Sequence, residues 1–199
     1  MRNKALVHFK KVDPVIFAAS IKLEEFEFVK SDDYFLSLCR EIIGQQLSGH
    51  VAKVIFGRFL DLFSRRKASA KSLLELKDEK LRGAGTSWAK VRSLKDLASE
   101  VASGKLDLAK LDYLSDEEVV DELIKVKGIG RWTAEMFLMF SLAREDVFSH
   151  GDLGLRKAIK KLYRFKQEPT YKQIEKIASR WSPYRTYASL ILWNVLDND

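Results

Sequence analysis

The sequence is poor in cysteine, proline and histidine, and these shortages exclude several classes of site. Its 199 residues include one cysteine, three prolines and three histidines. The one cysteine, Cys39, excludes an intrachain disulfide and an iron–sulfur cluster held by four cysteines of this chain alone. Its apolar surroundings predict a small core residue. The histidines do not have the spacing of zinc ligands, so no metal site is predicted.

Long apolar segments are missing as well. No run of apolar residues is long enough to span a bilayer, and the first residues, MRNKALVHFKKVD, lack the apolar stretch of a secretory signal. We therefore expect an intracellular soluble protein without membrane contact, cytoplasmic in a prokaryote and nuclear in a eukaryote. The chain also lacks internal repeats and low-complexity stretches.

What the chain has in excess is positive charge. Lysine and arginine number 35 against 28 acidic residues, which gives a formal net charge of +7. This balance favours a polyanionic partner, although a basic surface needed only for solubility would have the same composition. The hydrophobic content of 46% is ordinary for one globular core.

The most informative stretch covers residues 123–158. Gly128 and Gly130 predict a tight hairpin, because glycine accepts positive φ and allows close backbone approach. An apolar helix is predicted to begin near Arg131, which leaves its first amides without intrahelical partners. Such a helix end attracts phosphate, and nearby lysines add positive charge. The predicted residues for binding a DNA backbone are Lys127, Gly128, Gly130, Arg131 and Thr133.

Several ordered segments carry a resemblance to a known family. They are VKGIGRWTAEMF followed by DVFSHGDLGLRKA, EIIGQQLSGHVAK at 41–53, LRGAGTSWAKVRSLKDLA at 81–98 and WSPYRTYASLILW at 181–193. From about Asp33 onward the chain resembles the helix-hairpin-helix (HhH-GPD) superfamily of DNA glycosylases. Within it, the chain is most similar to the alkylpurine branch, the 3-methyladenine DNA glycosylase II type.

The helical periodicity and the resemblance predict an all-α core, with a possible minor strand at LEEFEFV in the N-terminal segment. The resemblance implies a two-lobed helical fold with a central DNA-binding cleft. Residues 1–31 and 145–199 would form a terminal lobe, and residues 32–144 a central lobe that ends in the hairpin unit. Family members carry a larger N-terminal sheet domain, for which the first thirty residues are too few.

Asp152 is the candidate catalytic residue. Gly151 and Asp152 precede a predicted helix, so a purely structural N-cap is the alternative. The resemblance places the family's catalytic aspartate at Asp152. A fixed carboxylate would stabilise the positive charge that develops on deoxyribose during cleavage of the base–sugar bond, and would orient or deprotonate the attacking water.

Trp132 distinguishes this chain from relatives that also cut the DNA backbone, which carry a lysine nucleophile at this position. Tryptophan does not form a Schiff base, so a monofunctional hydrolase is predicted. The resemblance places Trp132, Met136 and Trp193 in the base pocket, where indole faces would attract a positively charged alkylated purine. Core packing of Trp132 is the alternative. Tyr184 and Tyr187 are weaker pocket candidates.

The stretch Gly44–Ser48 separates two predicted helices. It is either a simple turn with Ser48 as helix cap or the site of a wedge that fills the gap left by an extruded base. The resemblance places that wedge at Gln46, with Leu47 next in line. It also implies that hairpin carbonyls of residues 124, 126 and 128 could bind a monovalent cation, and no other cofactor is predicted.

Together these features predict a base-excision-repair enzyme that flips and hydrolytically removes alkylated purines of the 3-methyladenine and 7-methylguanine type. Its partner would be double-stranded DNA with a damaged base, and it would act as a monomer. Two alternatives remain open: a glycosylase for deaminated, etheno or oxidised bases, and a non-catalytic helix-hairpin-helix module. Lys90, Arg92 and His150 could contact DNA or could lie on an idle exposed face.

Overall fold

A computed structural model describes residues 2–21 and 28–197. These residues are helical with intervening turns and contain no β-strand, so the predicted all-α fold is confirmed. Most of the possible strand LEEFEFV lies outside the described residues, and its last two residues, Phe28 and Val29, are not in regular structure.

The described ranges contain twelve α-helices and three short 3-10 segments. The helices are α1 (Arg2–Val12), α2 (Pro14–Ser20), α3 (Tyr34–Gly44), α4 (Gly49–Leu60), α5 (Ala70–Glu75), α6 (Asp78–Gly83), α7 (Trp88–Ala102), α8 (Asp116–Leu123), α9 (Arg131–Phe140), α10 (Leu153–Leu162), α11 (Tyr171–Ala178) and α12 (Arg185–Asp197). The 3-10 segments are Ser64–Arg66, Leu108–Tyr113 and Ser179–Trp181.

Contacts divide the chain into two compact units. The terminal unit consists of Met1–Val29 and Ala143–Asp199, and the central unit consists of Lys30–Leu142. The terminal unit therefore contains the candidate catalytic Asp152, whereas the central unit contains the hairpin and the helix that follows it.

A buried carboxylate organises the terminal unit. Asp13 caps α2, whose first residue is Pro14. Its Oδ2 accepts hydrogen bonds from Tyr163 Oη at 2.7 Å and from Trp181 Nε1 at 3.1 Å, and Arg180 pairs with it at 3.3 Å. Burial raises the pKa of Tyr163, and the bond to Asp13 adds to the effect. This network ties α2 to the elements that support α10 and α12.

In the central unit, α3 packs against α4, α7 and α9. Its buried face includes Leu38, Cys39 and Ile42, which are inaccessible to solvent. Cys39 is thus the predicted core residue, and burial raises the pKa of its thiol. Since α3 also contacts α9, the helix that precedes the wedge turn supports the helix that follows the hairpin.

Local capping signals determine most of the helix starts. Polar side chains cap the helices at the predicted Ser48 and Asp152, and also at Ser87, Ser115 and Thr170. Helix α1 was not predicted, because only Ala5 and Phe9 of its described side chains are buried and the apolar period is short. In the described part of the chain, no helix combines the length and apolar character needed to cross a bilayer.

Candidate active site

Asp152 is the N-cap of α10, in the terminal unit. Its Oδ1 accepts a hydrogen bond from the Leu155 amide at 2.7 Å, and the residue is only 8% exposed. The capping role is therefore present. A helix N-terminus and N–H donors stabilise negative charge, so the same geometry suits a fixed anion.

The indole of Trp193, on α12, also binds this carboxylate. Its Nε1 donates to Asp152 Oδ1 over 3.2 Å. Two residues that the sequence placed in one site thus lie together, and their contact is more direct than the pocket wall predicted for Trp193. The bond fixes the position of the carboxylate relative to the edge of an aromatic ring.

Gly154 makes this contact possible, and the sequence reasoning missed it. A Cβ at Gly154 would lie 3.0 Å from Asp152 Oδ1 and 3.3 Å from Trp193 Cδ1. Glycine in a helix costs about 0.8–1 kcal/mol relative to alanine, so a glycine in the first turn of α10 was itself a usable signal. Its small size lets the indole approach the carboxylate.

The turn before α10 is anchored by His150. The Asp152 amide donates to Ser149 O at 3.2 Å, which closes the turn. His150 Nε2 lies 2.6 Å from Glu175 Oε2, and its ring stacks on Tyr171 with centroids 4.6 Å apart. An idle exposed His150 is therefore wrong: the side chain ties the Asp152 turn to α11.

The hairpin glycines of the central unit differ from each other. Gly128 has φ +86°, and a Cβ there would lie 2.8 Å from Ser93 Cβ on α7. Both predicted reasons for glycine, positive φ and close approach, therefore hold at Gly128. Gly130 has φ −97° and open space around the place of a Cβ, so neither reason applies to it.

Gly130 instead serves as the N-cap of α9. Among the described residues, no side chain makes a capping hydrogen bond there. The hairpin itself is pinned from α7, since the Lys127 amide donates to Asp96 Oδ2 at 2.8 Å. The start of α9 thus has the main-chain geometry of an anion site.

The basic side chains around the hairpin already have carboxylate partners. Lys125 pairs with Glu122 at 2.6 Å, and Lys127, 84% exposed, pairs with Asp96 at 3.6 Å. Arg131 pairs with Glu117 at 2.5 Å and Glu135 at 3.1 Å. Hydrogen bonding raises the pKa of Arg131 and lowers that of Glu117. The excess of positive charge expected from the sequence is therefore locally offset, although exposed pairs of this kind contribute only about 0–1 kcal/mol each.

The hairpin carbonyls proposed for a monovalent cation have hydrogen bonds of their own. Val126 O accepts from the Ile129 amide at 3.1 Å, and Gly128 O accepts from Gln45 Nε2 at 2.9 Å. In the described residues there is no cluster of three or more histidine, cysteine or acidic side chains that could hold a metal ion.

Helix α9 buries its side chains from Thr133 to Met139, whereas Arg131 and Trp132 at its start are exposed. Trp132 is 41% exposed, whereas Met136 is 4% and Thr133 3% exposed. Core packing is therefore wrong as an account of Trp132. Met136, one turn further along, is covered. The Thr133 hydroxyl is turned into the protein, where it accepts from Gln45 Nε2 at 3.1 Å.

The predicted wedge occupies the turn between α3 and α4. Gln46 is exposed and has φ +57°, an uncommon conformation for a residue other than glycine, and Leu47 is half-buried. A groove of about 440 Å³ follows along α4, lined in part by His50, Lys53 and Arg58. This basic groove, which the sequence analysis did not single out, lies on the helix that begins directly after the wedge turn.

Lys90 has neither of its predicted roles. Its Nζ donates to Ile43 O at 2.9 Å and to Gln45 O at 2.8 Å, at the C-terminal end of α3. Burial lowers the pKa of Lys90. The partners lie more than forty residues away in the chain, so local sequence pattern gave no sign of them.

Comparisons with known proteins give the family to which the chain belongs. Residues 39–183 match the model of the HhH-GPD superfamily base excision DNA repair proteins. The putative DNA-3-methyladenine glycosylase YfjP of Bacillus subtilis is 33% identical over 83% of this chain, which spans 60% of that relative's length.

Two solved structures are similar over nearly the whole chain. The Schizosaccharomyces pombe 3-methyladenine DNA glycosylase Mag1, in complex with abasic DNA, has a TM-score of 0.86 and 31% identity, over 96% of this chain and 95% of that one. A DNA-3-methyladenine glycosidase from Bacillus halodurans has a TM-score of 0.80 and 36% identity, over 94% and 86%. The resemblance inferred from the sequence is thereby confirmed: the chain belongs to the HhH-GPD superfamily of base excision DNA repair proteins, in the branch of the DNA-3-methyladenine glycosylases.

Proposed function

We propose that this protein is a monofunctional DNA glycosylase that extrudes alkylated purines from duplex DNA and hydrolyses their bond to deoxyribose. The observation that carries the proposal is the Asp152 carboxylate, held at a helix N-terminus by an amide and an indole N–H. The three similar proteins described above are DNA-3-methyladenine glycosylases or glycosidases, one of them putative, which supports the alkylated-purine substrate.

The reaction needs little from the protein beyond electrostatics. Purines methylated at N3 or N7 carry positive charge and leave readily, while the sugar develops oxocarbenium character. Asp152 would stabilise that charge and orient the attacking water. Preorganised stabilisation of this kind is commonly worth about 10²–10³ in rate for each group.

Absence of lyase activity follows from the residue at position 132. A lyase forms a Schiff base through an amine, and Trp132 offers none. Its exposed indole suits contact with a cationic base instead, an attraction of about 0.5–2 kcal/mol. In the terminal unit, Trp193 would contribute an aromatic surface next to Asp152. In the central unit, Met136, which is covered, would support Trp132 one turn earlier on α9.

Binding of the DNA backbone would come from main-chain groups at the start of α9. The nearby cations are already paired, so we assign the larger share of phosphate binding to the amides around Gly128, Gly130 and Thr133. Lys127 and Arg131 would exchange carboxylate partners for phosphate, at small cost because these pairs are exposed. A monovalent cation at the hairpin would add to this grip.

The turn between α3 and α4 would fill the gap in the duplex. Gln46, exposed at the tip, would enter the space of the extruded nucleotide, with Leu47 beside it. The basic groove along α4 would follow the adjoining strand. We further propose that the terminal and central units are the two lobes that bind one duplex, and that the protein acts as a monomer.

A base-release assay tests the proposal. Duplexes containing 7-methylguanine, 3-methyladenine, hypoxanthine, ethenoadenine or 8-oxoguanine are incubated with the protein, and the released bases are identified by mass spectrometry. We expect release of the two methylated purines and no adduct on borohydride treatment. Release of 8-oxoguanine with a trapped adduct would contradict the proposal, and release of no base would leave a DNA-binding module.

A further inference from the structure

The turn that carries the predicted wedge is joined to the hairpin by one side chain. Gln45 Nε2 donates to Gly128 O at 2.9 Å and to Thr133 Oγ1 at 3.1 Å. The first acceptor lies in the hairpin and the second in the first turn of α9. Both amide hydrogens are therefore used between two segments more than eighty residues apart, and the next residue in the chain is Gln46.

The other side of the same turn is held by Lys90. Its ammonium group donates to Ile43 O and Gln45 O, carbonyls at the end of α3. Such carbonyls lack intrahelical partners, and a cation there complements the helix dipole. A third bond, from the Leu47 amide to Gly44 O at 3.1 Å, closes the turn.

These contacts hold a residue in an unfavourable conformation. Gln46 has φ +57°, which is uncommon outside glycine and persists only where neighbouring contacts maintain it. The contacts on Gln45 and at the end of α3 supply that restraint directly before the strained residue. They leave the Gln46 side chain itself exposed.

We infer that Gln45 is a positioning residue that couples the wedge turn to the hairpin, and that Lys90 is one that holds the same turn on α7. Insertion at Gln46 and backbone binding at Gly128 would then occur in fixed register. Neither residue needs to touch the reacting atoms. The inference rests on the proposed function and extends it: the coupling would serve base extrusion rather than bond cleavage, so its loss should depend on how hard the base is to extrude.

The chain offers a matched control on the same helix. Lys95, also on α7, donates to Leu73 O and Leu74 O, both at 3.0 Å, at the end of α5. It therefore makes the same kind of helix-end contact as Lys90, at a helix that carries neither wedge nor hairpin. Lys95→Met should lower thermal stability and leave the wedge turn and hairpin unchanged.

The test compares two substrates that differ only in the cost of extrusion. One is a duplex with the lesion opposite a normal base, and the other carries the same lesion in a single-nucleotide bulge, where unpairing costs little. Single-turnover excision rates are measured for wild type, Gln45→Ala, Gln45→Glu, Lys90→Met and Lys95→Met. Gln45→Glu keeps the side-chain shape but removes both N–H donors.

We expect the Gln45 variants and Lys90→Met to lose about tenfold on the paired duplex and less than about twofold on the bulge, since the lost hydrogen bonds act before the chemical step. The Lys95→Met ratio between substrates should equal that of the wild type. Equal losses on both substrates for Gln45→Ala would mean a merely structural role and would overturn the inference.

Hydrogen exchange provides a readout that needs no reaction. Amides of residues 126–131 should exchange faster in Gln45→Ala than in wild type and should be unaffected in Lys95→Met. Unchanged hairpin exchange in Gln45→Ala would overturn the coupling even if excision falls. If the wild type releases no base from either substrate, the proposed function fails, while the exchange rates still decide whether the coupling exists.

Discussion

Helices α9 and α10 follow glycine-containing turns, yet they begin in opposite ways. Helix α10 starts with a carboxylate that occupies its own N-terminus, whereas α9 starts at Gly130, for which no described side chain provides a cap. The first arrangement fixes a negative charge in place, and the second leaves the helix start without a side-chain cap. We propose that the helix N-terminus serves two different functions in this protein, one where a side chain caps it and one where a ligand would bind it.

The two starts are also supported differently. At α10 the capping carboxylate is held by an indole packed close to Gly154, so the supporting hydrogen bond is made to the charged group itself. At α9 the support comes from side-chain hydrogen bonds that Asp96 and Gln45 make with the hairpin backbone. A charged group needs a fixed orientation, while an anion site needs a fixed backbone.

The largest effect is expected when the negative charge at the start of α10 is removed. Asp152→Asn should lower the excision rate about 10²–10³-fold, the usual effect of losing one preorganised electrostatic group. Stability should change little, because asparagine caps a helix about as well as aspartate. Single-turnover kinetics and a thermal melt check the two parts. A stable Asp152→Asn protein that excises at the wild-type rate would show that the carboxylate is only a cap.

The anion site that we propose at α9 should be disrupted by Gly128→Ala. Positive φ costs about 1–2 kcal/mol for alanine, and overlap with Ser93 adds about 1–3 kcal/mol. We expect a lower free energy of unfolding and weaker binding of an abasic-site duplex, measured by denaturant titration and fluorescence anisotropy.

Gly130→Ala is the matched control for Gly128→Ala, because φ is negative at Gly130 and no atom beyond its chain neighbours lies within 4 Å of the added Cβ. Its free energy of unfolding and its duplex affinity should fall by less than those of Gly128→Ala, because only the modest N-cap preference for glycine over alanine is lost. Ser93→Gly should relieve part of the Gly128→Ala defect. Equal defects in the two glycine variants would refute the distinction drawn between them.

A smaller effect is expected when the packing that supports the Asp152 carboxylate is disturbed. In Gly154→Ala the new methyl group would press on Asp152 Oδ1 and the Trp193 ring, so we expect excision to fall about tenfold, the equivalent of about 1.4 kcal/mol. Alanine favours the helix by about 1 kcal/mol, so the melting temperature should not fall in proportion. Gly151→Ala, with open space around its Cβ, is the control. Parallel losses of stability and rate in Gly154→Ala would point to a folding defect.

The smallest effect is expected when one of the carboxylates that pair with Arg131 at the start of α9 is removed. Glu117→Gln removes a carboxylate that competes with phosphate for Arg131, so duplex affinity at low salt should rise a few-fold. The pKa of Glu117 is lowered by Arg131, so its pairing contributes stability above about pH 4.5, and this is lost as pH falls through the folded-state pKa. For so exposed a pair the contribution is about 0–1 kcal/mol. Anisotropy titrations at two salt concentrations measure the change, and unaltered affinity would mean that Arg131 does not bind DNA.

Predictability from sequence followed the range of the interactions. Caps such as Ser48 and Asp152 bond to amides three residues away, so the helix starts they determine were visible in the chain. The hydrogen-bond acceptors of Lys90 and Gln45 were not visible in the sequence, because they lie 45–88 residues away along the chain. The charge balance was predicted only in sum: the sequence showed three cations near the hairpin, while Asp96 and Glu117 reach two of them through folding.

The sequence by itself determined the all-α class, the hairpin with its required glycine at 128, and the capped start at Asp152. These features depend on backbone preferences and on hydrogen bonds within a few residues. Only the tertiary structure decided which groups restrain them: Trp193 on the carboxylate, Ser93 against the hairpin and Gln45 between the wedge turn and α9. Such restraints depend on close packing of segments that are distant in the chain, where tenths of an ångström matter. No local sequence pattern identifies the partner residue.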